Sequence, residues 1–137
     1  MSADEPVFPV PVRDGLTTPY WQALEQGILT FQRCAACNAA WLPPRGECPE
    51  CLAADWRWES ASGRGKLVSW VVYHVAYHPA FKDRLPYTVA VVELAEGPRL
   101  ISNVIGAADP ESFRIDQGLR LVVEHEHGFA LPRFRPD

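Results

Sequence analysis

Residues 34–51, CAACNAAWLPPRGECPEC, hold two Cys-x-x-Cys pairs and contain all four cysteines of the chain. Four thiolates complete a tetrahedral shell around one metal ion, with Zn–S bonds of about 2.3 Å and no open position for catalysis. Each pair suits a tight turn whose backbone amides point at the sulfurs. Paired motifs at this spacing are typical of zinc ribbons. The sequence therefore predicts a structural Zn²⁺ site formed by Cys34, Cys37, Cys48 and Cys51.

The same four cysteines have three alternative uses: disulfides, a redox pair and an iron site. Disulfides need an oxidising compartment, and residues 1–14 have neither the basic nor the apolar region of a secretory signal. A redox pair exposes one thiol of low pKa beside a helix start, whereas here two pairs come together. Iron also accepts four thiolates, so iron stays open beside zinc. Asn38 suits the left-handed turn that follows a knuckle, but Leu52 in the equivalent place predicts an imperfect match between the knuckles.

Composition places the chain among acidic globular proteins. It has 137 residues, 47% of them hydrophobic, and a formal net charge of −4. That content supports a true core, so the metal does not hold the whole chain together. An acidic chain with only Lys66 and Lys82 as lysines argues against nucleic-acid binding. No apolar run approaches the roughly 18 residues of a membrane span, so we expect no membrane association and a cytoplasmic location.

Residues 1–27 are predicted to form an N-terminal arm and a short helix. The first 15 residues are punctuated by proline and cannot bury enough surface to fold alone, so a disordered tail and a strap along a partner both stay open. Thr18 is predicted as the helix N-cap with Pro19 at the first helical position, and Gly27 as the stop.

Residues 28–62 are predicted to form the zinc ribbon. Period-two alternation of apolar and polar residues indicates strands at Ile28–Arg33, Ala40–Leu42 and Asp55–Glu59, around the two cysteine turns.

Residues 63–137 are predicted to form a five-stranded barrel. A short helical excursion within residues 107–118, starting near Asp109, separates the third strand from the fourth. This order of elements favours an OB-fold. A β-sandwich is the alternative fold, but five strands are few for a sandwich. The fold class is thus mainly β. The five strands are expected at Leu67–Tyr77, Tyr87–Leu94, Arg99–Ile105, Leu119–His127 and Phe129–Phe134.

The sequence predicts no catalytic residues. It has no Gly-x-Ser-x-Gly elbow, its cysteines are used by the metal, and its glutamates show no spacing typical of an acid/base dyad. His125 and His127 are near one another, but the end of a strand explains them better than a second metal site.

The stretch along and after the first barrel strand combines flat aromatic rings with cationic groups. Such groups stack on a nucleobase and pair with phosphates, as an adenine nucleotide, coenzyme A or single-stranded nucleic acid requires. An ordinary strand followed by an exposed loop is the alternative. The residues are Trp70, His74, Tyr77, His78, Pro79, Phe81, Lys82, Arg84, Pro86 and Tyr87.

The order of short motifs from Thr18 to Pro136 resembles one known family. The motifs are Pro19-Tyr20-Trp21, the two Cys-x-x-Cys pairs, Pro43-Pro44-Arg45, Ser62-Gly63-Arg64-Gly65, Ser69-Trp70, His78-Pro79, Pro86-Tyr87, Gly97-Pro98-Arg99 and Leu131-Pro132-Arg133-Phe134. Each motif is weak alone, and their combination is specific. In this order they resemble the DUF35 family.

That resemblance implies a helical arm, a rubredoxin-like zinc ribbon and an OB-fold, with the four cysteines in the metal positions. It also implies an accessory subunit of a thiolase-fold or lipid-transfer-protein-like enzyme, either an acyl-CoA thiolase or a steroid side-chain aldolase. The partner would hold the catalytic groups, and this chain would complete or gate the acyl-CoA channel. The contact candidates that this role adds are Tyr20, Trp21, Trp56, Trp58, Arg64 and Arg99, with Arg84 again as a phosphate partner.

Two other functions stay open at this point. Zinc ribbons and OB-folds also serve as nucleic-acid-binding modules, although the acidic composition argues against that use here. A self-sufficient enzyme would require activity from the isolated chain.

Overall fold

The described part of the chain begins with an arm that lies along its own body. The computed structural model describes residues 7–106 and 109–137. The Phe8 ring stacks on the His127 ring with their centres 3.9 Å apart. The Arg84 guanidinium lies 4.6 Å from the centre of the Phe8 ring. Residues 7–14 therefore lie against the body of the chain rather than forming a free tail, and a strap along a partner stays a prediction. Residues 1–6 of the predicted arm lie outside the described residues.

Helix α1 spans Thr18–Glu25 and begins one residue earlier than predicted, because Thr17 is its N-cap. The Asp14 carboxylate accepts hydrogen bonds from the N–H groups of Leu16 and Thr17, and this turn sets the first helical residue. Gly27 has a φ of +81° and lies just past the helix end, as predicted.

Three short strands form the ribbon sheet, in the order β2–β1–β3 and all antiparallel. The Gln32 side chain is fully buried on β1 and forms two hydrogen bonds with the backbone of Arg45, at 2.7 and 2.8 Å. These two hydrogen bonds fix the loop after β2 to the centre of the sheet. The strands are β1 (Thr30–Cys34), β2 (Ala40–Trp41) and β3 (Trp56–Ser60).

The second sheet has five antiparallel strands in the order β6–β5–β4–β7–β8, and it curls into a half-barrel. A parallel bridge between Val104 and Phe134 brings its two edge strands together at one end. Gly65 allows the sheet to bend, because a Cβ there would lie 2.8 Å from the Glu93 carbonyl oxygen. The strands are β4 (Arg64–Tyr73), β5 (Tyr87–Leu94), β6 (Arg99–Ser102), β7 (Gly118–Glu126) and β8 (Phe129–Pro136).

The mainly β fold with one short helix, a ribbon and a five-stranded OB-type sheet is confirmed. Two strands have bounds that differ from the prediction by three residues or more: β4 spans Arg64–Tyr73 rather than Leu67–Tyr77, and β6 ends at Ser102 rather than Ile105. The first of these differences arises at the end of β4. The chain leaves the sheet there and enters a 3₁₀ helix at Pro79–Arg84, whose first turn is capped by His78. A second 3₁₀ turn, Pro110–Ser112, follows Asp109 as predicted. Residues 107 and 108 of that excursion lie outside the described residues.

One hydrophobic core joins the helix to the barrel. Leu24 of α1 and Leu29 after it are fully buried with Leu67, Val92 and Phe134 of the barrel. A smaller cluster of Cys34, Trp41 and Cys48 fills the ribbon. The described residues of the predicted arm (1–27), ribbon (28–62) and barrel (63–137) thus pack together, and the division into these three units stays a prediction. No helix among the described residues is both long and apolar enough to cross a bilayer.

Candidate metal centre and partner surface

The two cysteine turns meet and bring four sulfurs together. The ligand atoms of Cys34, Cys37, Cys48 and Cys51 all lie within 4.8 Å of one another. The Sγ atoms of Cys34 and Cys51 are 3.5 Å apart, as are those of Cys37 and Cys48. Thiolates at 2.3 Å from one ion would be separated by about 3.8 Å in a regular tetrahedron. The donor set therefore fits one metal ion.

Backbone amides in both turns donate to the first sulfur of each pair. The N–H groups of Ala36 and Cys37 point at Cys34 Sγ at 3.3 and 3.4 Å, and those of Glu50 and Cys51 point at Cys48 Sγ at 3.4 and 3.5 Å. The N–H of Cys37 contributes most to lowering the pKa of the Cys34 thiol to about 7. The amide donors thus favour the thiolate form of Cys34 and Cys48, the first cysteine of each pair, and the thiolate is the form that binds metal.

The two turns match more closely than their sequences suggest. Asn38 and Leu52 have φ values of +66° and +65°, so Leu52 takes the left-handed conformation that its branched side chain disfavours. Its N–H bonds to the Cys48 carbonyl at 2.9 Å, the counterpart of the bond from Asn38 to Cys34. The expected asymmetry of the knuckles was wrong. Four protein sulfurs leave no coordination position for a substrate, so the site is structural.

Several predicted aromatic and cationic side chains meet at one end of the barrel. Phe81 packs against Tyr87 with ring centres 5.9 Å apart, and the Arg84 guanidinium lies 5.7 Å from the Phe81 ring. These three residues line a pocket of about 230 Å³ together with Glu124 and Glu126 of β7, Arg133 of β8 and the loop after β6. His78 touches Phe81, but its Nδ1 accepts the Ala80 N–H at 3.1 Å, so this ring already caps the 3₁₀ helix.

Other candidates lie elsewhere. Trp70 packs edge-to-face on Phe113 beneath the sheet. Arg99 pairs with Glu93, and Arg64 lies near them at the opposite end of the barrel from Arg84. Glu93 lies six positions after Tyr87 along β5, which corresponds to a distance of about 20 Å. The three arginines therefore cannot bind one phosphate group together. His74, Tyr77 and Lys82 are exposed beyond the end of β4.

The helix and ribbon aromatics form a continuous row. Tyr20 is only 7% exposed, and burial raises the pKa of its hydroxyl strongly, so it supports the surface from beneath. Trp21 contacts Tyr20 and Phe129 edge-on, and its Nε1–H is buried without a hydrogen-bond partner among the described residues. Trp56 donates its Nε1–H to the Gly46 carbonyl and packs on Trp58.

The structure also reveals an ion-pair network that sequence reasoning missed. Arg133 on β8 binds Glu124 and Glu126 on β7 at 2.7 and 3.1 Å, and Arg84 binds Glu126 at 3.0 Å. The Arg133 side chain is only 12% exposed. The sequence signal for this network is a pair of glutamates two positions apart, Glu124 and Glu126, on the strand that pairs with the strand of Arg133.

Acid should weaken this network. Hydrogen bonds from Arg133, then from Arg84, lower the pKa of Glu126 to about 2 from an ordinary value of 4.5. A depressed carboxyl pKa stabilises the fold above pH 4.5, and the effect is lost as pH falls from there toward about 2. We expect Glu126→Gln to lower the free energy of unfolding by roughly 1–3 kcal/mol at neutral pH, and by much less near pH ~3. Urea unfolding of both proteins at each pH measures the difference.

Glu111→Gln is the matched control, because Glu111 is exposed and has no ion pair among the described residues. It should change the unfolding free energy little at either pH. A Glu126→Gln penalty that stayed the same at both values of pH would contradict the role of ionisation.

Comparison with known families gives two matches that together cover most of the chain. Residues 21–57 match the family described as "ChsH2, rubredoxin-like zinc ribbon domain". Residues 58–124 match "ChsH2, C-terminal OB-fold domain". The metal-binding ribbon and the OB-fold barrel are thereby confirmed.

Three relatives are similar over most of this chain. A "DUF35 domain-containing scaffold protein" of Methanothermobacter thermautotrophicus is 35% identical over 77% of this chain and 80% of its own length. A "Probable enoyl-CoA hydratase alpha subunit" of Thermomonospora curvata is 42% identical over 85% of this chain, but this chain spans only 36% of that protein. The solved structure "Ltp2-ChsH2(DUF35) aldolase" has a TM-score of 0.80 at 38% identity, with 93% of this chain and 98% of that one covered.

Proposed function

This chain belongs to the DUF35 family, and we propose that it is a non-catalytic accessory subunit of a thiolase-fold or lipid-transfer-protein-like acyl-CoA enzyme. In this proposal the partner is an aldolase or thiolase that holds the catalytic groups. This chain helps to form or gate the partner's acyl-CoA site. The observation that carries the proposal is the match over almost the whole length of the DUF35 chain in a solved aldolase.

The site geometry supports a subunit that positions rather than reacts. The metal site is closed by four sulfurs. The carboxylates of Glu124 and Glu126 are occupied by arginines. In this proposal a ribbon fixed by Zn²⁺ holds Trp56 and Trp58 of β3 rigidly toward a partner, beside Trp21 of α1. The proposal includes a cytoplasmic location, where thiols stay reduced and available to a metal.

The part of the surface proposed to meet coenzyme A is the pocket beside the 3₁₀ helix. Phe81 and Tyr87 offer ring faces for the adenine, and Lys82 offers an exposed cation for a phosphate. Arg84 is tied to Glu126 and serves mainly to hold the pocket wall. The distant Arg64 and Arg99, with Trp70, His74 and His78, remain candidates for contact with the partner.

Affinity purification of the tagged full-length chain from its native host tests the proposal. We expect a thiolase-fold protein to be recovered in fixed ratio and identified by mass spectrometry. Acyl-CoA turnover should require both subunits, with no activity from this chain alone. Elemental analysis of the purified chain should give zinc, and iron would overturn that part of the proposal.

Recovery of nucleic acid in place of an enzyme would favour a nucleic-acid-binding module. In that case, binding should weaken steeply with salt. Turnover by the isolated chain would contradict an accessory role.

A further inference from the structure

The two edge strands of the half-barrel pair over only part of their length. Phe134 on β8 donates its N–H to the Asn103 carbonyl at 3.0 Å and accepts the Ile105 N–H at 2.7 Å. In a parallel ladder the next two bonds toward the start of both strands would run from the Asn103 N–H to the Pro132 carbonyl, and from the N–H of residue 132 to the carbonyl of residue 101. The Pro132 carbonyl accepts the Ser102 hydroxyl at 2.8 Å instead. Residue 132 is a proline and has no N–H to donate. Pairing therefore stops there.

This proline leaves the outer edge of β6 open. The bond from the Leu94 N–H to the Pro98 carbonyl sets the phase of the β5–β6 ladder. Leu100 and Ser102 then bond to β5, whereas the N–H and C=O groups of Arg99 and Ile101 point away from it. No other strand of the described chain pairs with that side of β6. The Ile101 side chain is 74% exposed.

A groove of about 460 Å³ lies along this open edge. The helix contributes one wall, the loop after β2 another, and β8 the third. The Gln32–Arg45 hydrogen bonds fix the loop that forms the second wall, so the groove is rigid. Its apolar lining residues include Trp21, Leu42, Pro43, Pro44, Leu100 and Pro132.

The charges and hydrogen-bond donors that line the groove indicate which class of ligand it can bind. Arg133 is the charged residue of its lining, and Glu124 and Glu126 already neutralise that guanidinium. An anionic ligand would find no free cation there. Trp21 lines the groove, and its buried Nε1–H has no hydrogen-bond partner among the described residues; the Ile101 edge adds backbone groups. Such a surface is complementary to an uncharged chain with regularly spaced carbonyls and apolar side chains, which describes an extended peptide.

We infer that an extended, uncharged, apolar segment of the partner protein adds as a strand to the open edge of β6. Its backbone pairs with Arg99 and Ile101, one of its carbonyls accepts the Trp21 Nε1–H, and its side chains enter the groove. The inference rests on the proposed function for the identity of the partner, a thiolase-fold subunit.

Ile101→Pro tests the strand pairing. It removes an N–H that β5 does not use, and proline is tolerated on edge strands, so the fold should survive. The control Ile101→Thr keeps both the N–H and a β-branched side chain. We expect Ile101→Pro to raise the Kd for the purified thiolase-fold subunit at least about tenfold, and Ile101→Thr to change it by less than about threefold.

Trp21→Phe gives a second test that leaves the backbone unchanged. It removes the indole N–H and keeps an aromatic ring, so we expect a Kd about three to ten times higher. Calorimetric titration measures each Kd, and circular dichroism confirms that each variant is folded. Equal affinity of the folded Ile101→Pro variant and the wild type would overturn the inference and leave the proposed function standing.

A peptide probe decides the inference if no thiolase-fold subunit binds and the proposed function fails. The probe is the uncharged hexapeptide Thr-Val-Thr-Ile-Thr-Val with blocked ends, titrated into ¹⁵N-labelled full-length chain. Shifts of the Arg99 and Ile101 amides and the Trp21 indole N–H would support strand addition. Shifts confined to other surfaces, or no shifts at millimolar peptide, would overturn it.

Discussion

Cys48→Ser is expected to abolish metal binding and unfold the ribbon. Cys48 is fully buried, its Sγ accepts two backbone N–H groups, and it lies 3.5 Å from the Cys37 Sγ. Structural Zn²⁺ in small sites contributes about 10–16 kcal/mol, and a neutral hydroxyl replaces a thiolate poorly. Because the ribbon cluster consists of little more than Cys34, Trp41 and Cys48, it cannot stay packed without the ion.

Elemental analysis and tryptophan fluorescence measure this result. Metal content should fall from one ion per chain to almost none, and the emission of Trp41 and Trp56 should shift to longer wavelength. Ala35→Ser is the control, because Ala35 is exposed in the same turn. It should bind metal normally. A folded ribbon with a full metal complement in Cys48→Ser would show that Cys48 is not a ligand.

Phe134→Ala is expected to cause the largest loss of stability in the barrel. The Phe134 side chain is fully buried in the shared core, and its backbone makes the bonds that join β8 to the residues after β6. Removing a buried phenylalanine ring costs about 3–5 kcal/mol, through lost burial and the cavity left behind.

Urea unfolding followed by circular dichroism measures the change in the free energy of unfolding. Ile115→Ala is the comparison, since Ile115 is 65% exposed and its loss should cost less than about 0.5 kcal/mol. A cost below about 1 kcal/mol for Phe134→Ala would mean that the core collapses around the cavity.

The sequence was sufficient where the determining pattern is local. Two Cys-x-x-Cys pairs identify the four ligands because each turn is only four residues long. The run Tyr87–Leu94, apolar on both faces and followed by the Glu96-Gly97-Pro98 turn, predicts β5 with the bounds that the structure has, although only every second side chain is buried. Gly27 and Asp109 mark the ends of short helical elements by chemistry within one turn.

The remainder depends on contacts between distant residues. Arg84 and Glu126 are 42 positions apart, so their ion pair follows only from the barrel closure. Tyr77 continues the apolar pattern of β4, but the capping of the 3₁₀ helix by His78 ends the strand first. The effect of Pro132 is visible only once β8 is known to lie beside β6. Leu52 adopts its unfavourable conformation because the hydrogen bonds of the knuckle to the Cys48 carbonyl and sulfur fix the turn around it.

The break in pairing at Pro132 also has a consequence for how the cell must make this chain. An unpaired strand edge with an exposed isoleucine is a template on which identical chains can stack, so free subunits are prone to aggregation. Production in step with the partner would keep the pool of orphan chains small. If the partner covers this edge as inferred above, we expect balanced synthesis of the two subunits to limit aggregation.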